Sequence, residues 1–258
     1  KVLISGAALF YVFKKVDFSE TIDLILGGNI WWFLFSILIF NIAKIISTFR
    51  LKSLLAAIPL AVSDRFNIVV YYIGAFYNLF LPGSISGDAY KIYLLAQKHK
   101  GHTKNMGISV LLDRLCGLAA LLLIACAFAL LADIQTGLWW DKWLVGVVAV
   151  LIFPVFYLAM RIAFPTFTSA FLQANAISVV CQVLLSFAGY SLLLCLGVDA
   201  YLFEYLTLFL IASVVSVVPV TFFGLGAREL VFTTAITMGW VPLNEKTAIA
   251  FTLLVFGM

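Results

Sequence analysis

Two stretches of this sequence set proline, glycine and charge together inside apolar surroundings. In the first, Asn78 and Pro82 lead through Gly83 and Gly87 to Asp88 and Lys91. In the second, Pro219 leads through Gly224 and Gly226 to Arg228 and Glu229. A third acid–base pair, Asp113–Arg114, stands within the apolar run from Ile108 to Leu131. Arginine forks bind phosphate oxygens well, and the N-termini of broken helices add backbone N–H donors. A phosphate-bearing headgroup fits these parts. Asp88, Lys91, Asp113, Arg114, Arg228 and Glu229 are therefore the candidate substrate-binding residues. The arginines would hold the phosphate, and the carboxylates would hold or release the arginines. Asn78, Pro82, Gly83, Gly87, Pro219, Gly224 and Gly226 are the candidate helix breaks.

A charge at a membrane-helix centre costs about 2.5–3.5 kcal/mol on insertion scales, so such residues face a bundle interior and pair. Neighbours such as Asp113 and Arg114 point to different faces of one helix, so their partners come from other elements. Asp88 with Arg114 or Arg228 is the pairing expected. The competing structural reading is a plain ion pair, or side chains that snorkel to the headgroups; Lys44 and Arg50 are read as snorkelling. Likewise, Pro and Gly can merely kink ordinary helices.

The elements that carry these residues are membrane helices. The chain has 258 residues, 64% hydrophobic and 11% charged, with a mean hydropathy of +1.14. Soluble domains are about 45–50% apolar and about 25% charged. A helix crosses a bilayer core with about 20 mostly apolar residues. Such runs cover residues 30–49, 106–131, 143–163 and 171–197, with a last helix from 246 to 258 and the end of a first helix at 1–13. Residues 51–65 read as an interfacial stretch, 66–81 and 204–219 as apolar segments that stop at the breaks, 89–97 as a short helix and 227–239 as a short return. Strand-like alternation is missing, which argues against a membrane β-barrel. The fold class is all-α integral membrane, a polytopic bundle with two re-entrant or broken helices. It reads as a single transmembrane domain over 1–258, with half-repeats about 30–131 and 171–258. Lys1 opens the chain without a methionine and an apolar run closes it, so it reads as a fragment of a larger membrane protein.

Charge sets the orientation. Arg50, Lys52 and Arg65, then Lys91, Lys98, Lys100 and Lys104, crowd two joints, whereas Asp17, Glu20, Asp23, Asp133, Asp141, Asp199 and Glu204 mark the others. The positive-inside rule makes the basic joints cytoplasmic. They flank 66–87 on both sides, so that segment is expected to dip in and return, and 204–239 to do the same from outside. All other segments are then plain crossings with the N-terminus cytoplasmic. Freed backbone in such breaks must be buried in protein or line a wet cavity. Paired broken segments are a pointer to inverted-repeat transporters.

Other motifs carry less. Gly224-Leu225-Gly226 lacks the strand–helix context of nucleotide binding. His99 and His102 lie in a basic loop without carboxylates, which argues against a metal site. Cys116, Cys126, Cys181 and Cys195 all fall in apolar runs and read as small buried residues. The net charge of +4 and pI of about 8.8 fit cytoplasmic loops and anionic lipid headgroups, not nucleic acid. No catalytic residue, metal or cofactor is expected, and the chain does not read as an enzyme.

The run from Asn78 through Pro82, Gly83, Gly87 and Asp88 to Lys91 resembles the hallmark of the lysylphosphatidylglycerol synthase transmembrane-region family, also called flippase-like domains. Leu111-Leu112-Asp113-Arg114-Leu115-Cys116-Gly117-Leu118 and Gly224-Leu225-Gly226-Ala227-Arg228-Glu229 resemble its other two signatures, in order. Ser84 and Ser86 depart from the more glycine-rich family pattern. The resemblance implies a multi-pass protein of the inner or plasma membrane that moves phospholipid or polyprenyl-linked lipid between leaflets. Its expected partners are an anionic or polyprenyl-phosphate lipid, and a second copy or a partner enzyme. The aminoacyl-transferase domain of some members is not in this chain, so synthase activity is not carried over. The alternatives are a membrane anchor or accessory domain of a lipid-modifying or glycosyl-transfer enzyme, and a small-solute transporter.

Overall fold

The computed structural model describes residues 23–58, 60–80, 86–99, 101–134, 141–217 and 227–256. Every regular element among them is a helix. In chain order these are α1 (Ile30–Ala56), α2 (Asp64–Phe80), α3 (Ser86–Lys98), α4 (Thr103–Leu131), α5 (Asp141–Ala163), a 3-10 turn (Pro165–Ala170), α6 (Phe171–Cys195), α7 (Leu202–Val217), α8 (Ala227–Thr237) and α9 (Glu245–Phe256). Among the described residues, four helical stretches are long and apolar enough to cross a membrane: Ile30–Ala56, Thr103–Leu131, Lys142–Ala163 and Pro165–Cys195. The chain is an all-α, multi-pass membrane protein. The first-helix expectation at 1–13 lies outside the described residues, as do Pro82, Gly83, Pro219, Gly224 and Gly226.

Over the described residues, the helices beside the expected breaks are shorter. α2 has 17 residues and α3 has 13. α7 has 16 and α8 has 11.

One expected boundary moves: the helix expected over 30–49 continues as α1 to Ala56, into the stretch read as 51–65. Leu51, Leu54 and Leu55 are fully buried there. Two of the three basic residues beside it meet acids: Arg50 meets Asp113 and Lys52 meets Asp64. That leaves the leucine face free to pack. α1 then closes with tightened turns, Ala57 N–H to Leu54 and Ile58 N–H to Leu55, before Pro59.

The chain divides into two compact units. A mid-chain unit comprises Ile42–Leu121 and Val150–Gln182. A terminal unit comprises Lys1–Asn41, Leu122–Ala149 and Val183–Met258. In the mid-chain unit the three leucines of α1 share a core with Val70 of α2, Leu95 of α3, and Met106 and Leu112 of α4. α2 is tied to α1 by Asn67, whose side-chain amide donates to the Thr48 carbonyl at 2.5 Å. Val150, Val155, Leu158 and Ile162 of α5 stay exposed, the pattern of a helix face against acyl chains.

In the terminal unit the rings of Tyr205 and Phe209 (α7), Phe232 (α8) and Phe251 (α9) cluster with centroids 5.8–6.3 Å apart. Their tilted and edge-on geometries are the favoured ones for aromatic pairs. Glu204, buried near the start of α7, accepts the Asp133 backbone N–H just beyond α4 at 2.7 Å.

Candidate functional site: a buried ionic chain in the mid-chain unit

The site begins with two glycines. α2 and α3 approach so closely that a Cβ at Gly87 would overlap the Gly74 carbonyl oxygen, and one at Gly74 would overlap the Lys91 side chain. Removing both side chains therefore lets the hairpin close. Asn78 completes it: its side-chain oxygen accepts the Gly87 N–H at 2.9 Å, satisfying a donor in the first turn of α3. Ser86 donates to the Tyr77 carbonyl at 3.2 Å, and the Tyr77 and Tyr90 rings meet at a tilt with centroids 4.1 Å apart.

This closure places Asp88 and Lys91, three residues apart on α3, against α2 and α4. Lys91 Nζ sits 3.2 Å from Asp88 Oδ1 and 4.2 Å above the centre of the Tyr71 ring. The second carboxylate oxygen, Asp88 Oδ2, meets Arg114 Nη2 of α4 at 2.9 Å. Of the two pairings expected for Asp88, the structure contains the one with Arg114.

Asp113 turns the other way, as adjacency on a helix requires. It accepts Arg50 Nε at 2.7 Å. The remaining Arg50 nitrogens donate to Ser178 Oγ and to the Tyr71 hydroxyl, each at 3.3 Å. Gly117, one turn on from Asp113, leaves room for this guanidinium; a Cβ there would stand 2.9 Å from Arg50 Nη1. Arg50 therefore does not snorkel. It is 7% exposed and joins α1 to α2, α4 and α6. The physical reason is that burial is tolerable once a carboxylate and two hydroxyls satisfy the fork, and Asp113 needs a cation as much as Arg50 needs an acid.

The polar groups thus run in sequence from Arg114 through Asp88, Lys91, Tyr71 and Arg50 to Asp113. Reading the sequence missed Arg50, Tyr71, Gly74 and Ser178 as members. Arg50 stands between Phe49 and Leu51 near the end of an apolar run, an appearance that fits snorkelling and burial alike. No signal existed for Tyr71 or Ser178, whose types are common in membrane helices.

Arg228 and Glu229 lie at the start of α8, in the terminal unit. Glu229 is buried, and Arg228 Nε is buried without a hydrogen-bond partner among the described residues. The same unit holds a hollow of about 910 Å³ lined by Asn29, Cys195, Asn244 and Lys246, among others, and by none of the candidate substrate-binding or helix-break residues. Among the described residues no group of three or more His, Cys, Asp and Glu gathers.

With this geometry in hand, the family whose description is "Lysylphosphatidylglycerol synthase TM region" matches residues 1–258. The chain belongs to that family. No curated protein and no solved structure matches it. Within this family member, the resemblance rested on three motifs, and two of them now have a physical reading. The first supplies the glycine that closes α2 on α3 and the acid and lysine that follow. The second supplies two oppositely aimed charges and the glycine that admits Arg50.

Proposed function

We propose that this family member is a lipid translocator of the cell membrane, with its N-terminus cytoplasmic. It would pass a phosphate-bearing lipid, phospholipid or polyprenyl-linked, between leaflets. Lys91 and Arg114 hold the headgroup, and the tails stay in the bilayer. The observation that carries this reading is the Asp88 carboxylate shared by Lys91 and Arg114 within an apolar unit. Ionisable groups at membrane depth mark substrate paths by default. Arg114 gives a planar fork for phosphate oxygens, and its side chain keeps 27% exposure. The expected break between α2 and α3 is also the kind of element that lines such sites in transporters. No catalytic step is assigned to this chain.

The test is leaflet exchange. Purified protein in liposomes carrying fluorescent phospholipids is followed with a membrane-impermeant quencher. Exchange by the wild type and its loss by tenfold or more in Arg114→Ala are expected, since a charge-assisted contact contributes about 1.5–3 kcal/mol. Normal exchange by that variant overturns the reading. Arg228→Ala asks whether the terminal unit takes part, and loss of exchange is expected there too.

A second reading has support in the family description, which names the membrane region of a synthase. In it the chain anchors or assists an enzyme of lipid modification or glycosyl transfer. No exchange across several anionic and polyprenyl lipids would favour it.

A further inference from the structure

We propose that Asp88 is an internal stand-in for the ligand's phosphate: it occupies the seat made by Lys91 and Arg114 and must leave Arg114 before an anionic phosphate ester can settle there. The identity of the ligand rests on the reading above; the competition does not.

The carboxylate divides its oxygens between two cations, Oδ1 to Lys91 Nζ at 3.2 Å and Oδ2 to Arg114 Nη2 at 2.9 Å. Two non-bridging oxygens of a phosphate ester offer the same pair of acceptors. Lys91 has a seat that does not depend on Asp88, over the Tyr71 ring and across Gly74. It would stay in place when the acid moves away. Arg114 belongs to α4 whereas Asp88 belongs to α3, so the contact between them is one that a shift of the hairpin can break. Arg50 is a poor second seat, because its fork is already spent on Asp113, Ser178 and Tyr71.

Charge counting points the same way. The mid-chain unit contains ten Lys and Arg but only three acids, Asp64, Asp88 and Asp113. Asp64 meets Lys52 and Asp113 meets Arg50. Asp88 alone serves two cations. An anion arriving at Arg114 adds a second negative charge beside the two cations that now share Asp88.

The experiment measures binding of two probes to the protein in phosphatidylcholine nanodiscs: a fluorescent short-chain phosphatidylglycerol, and water-soluble glycerol phosphate. Asp88→Asn removes the competing charge and should tighten binding by about tenfold or more, the loss of a competing charge-assisted bond. Asp88→Glu keeps the competing charge and should not show that tightening. Unchanged or weaker binding by Asp88→Asn overturns the proposal, because a residue that contacts the ligand or only supports the fold would weaken it. A second measurement uses the wild type and so carries no folding risk. Labelling of Asp88 by an apolar carbodiimide should speed up when phosphatidylglycerol is added, and protection or no change would sink the idea. Tightening seen for glycerol phosphate but not for the lipid would keep the competition and discard the lipid reading.

Discussion

In the mid-chain unit the charges that follow the break, Asp88 and Lys91, meet Arg114 and Tyr71 from two other helices. In the terminal unit the charges that follow the second break, Arg228 and Glu229, open a helix whose packing is aromatic: Phe232 lies among Tyr205 and Phe251. The terminal unit is also acidic, with nine Asp and Glu against six Lys and Arg, the reverse of its counterpart. A similar sequence device therefore sits in two different surroundings. The difference arises in the neighbours: α1 and α4 bring Arg50, Asp113 and Arg114 to the first hairpin, whereas Glu204 gives its carboxylate to a backbone N–H.

The largest expected effect tests whether the mid-chain chain of charges holds the fold. Arg50→Met leaves Asp113 buried without its cation, and breaking a buried pair costs about 3–5 kcal/mol. Arg50→Met with Asp113→Leu should recover most of that loss, since an apolar pair of similar volume is often neutral. Unfolding in detergent of both single variants and the double variant gives the coupling energy. An additive cycle would show that the pair is not a unit, and would break the contrast with the aromatic terminal unit.

The next effect is steric and confined to the hairpin. Gly87→Ala puts a methyl into the Gly74 carbonyl, and overpacking of this kind costs about 1–3 kcal/mol. Because Asp88 and Lys91 ride on α3, leaflet exchange should fall further than stability does. Gly146, with open space around its Cβ position, is the control; Ala there should change neither. Equal behaviour of the two variants would mean that the close approach of α2 and α3 does not position the site.

Much of this architecture was legible beforehand, and the reasons differ by feature. Spans such as 106–131 and 143–163 stand out because only apolar helices survive in a bilayer, so composition alone nearly sets α4 and α5. The pairing of Asp88 with Arg114 was one of two expected, since adjacent charges on a helix must find partners elsewhere. Arg50 was misread because snorkelling and burial share one sequence appearance: a cation near the end of an apolar run. The deciding fact is Asp113, 63 residues away, and no local pattern reveals it. Tyr71 and Ser178 were invisible for the same reason. Their role comes from the direction in which α2 and α6 present them to one guanidinium.

The smallest expected effect asks whether an acid of the terminal unit acts as a charge at all. Glu204 is 6% exposed, and it accepts from a neutral donor, the Asp133 N–H at 2.7 Å. Glu204→Gln keeps an acceptor oxygen at that place and drops the charge. A hydrogen bond to a charged group contributes about 1.5–3 kcal/mol and a neutral one about 0.5–1.5 kcal/mol, so the loss should be about 1 kcal/mol. Asp113→Asn removes the charge that faces Arg50 and should cost clearly more under the same unfolding conditions. The ratio of the two costs separates an acid used as a hydrogen-bond acceptor from an acid used as a counter-ion. If Glu204→Gln cost as much as Asp113→Asn, Glu204 would be compensating a cation of its own unit, and Arg228 and Lys246 would be the first to examine by double-mutant cycle.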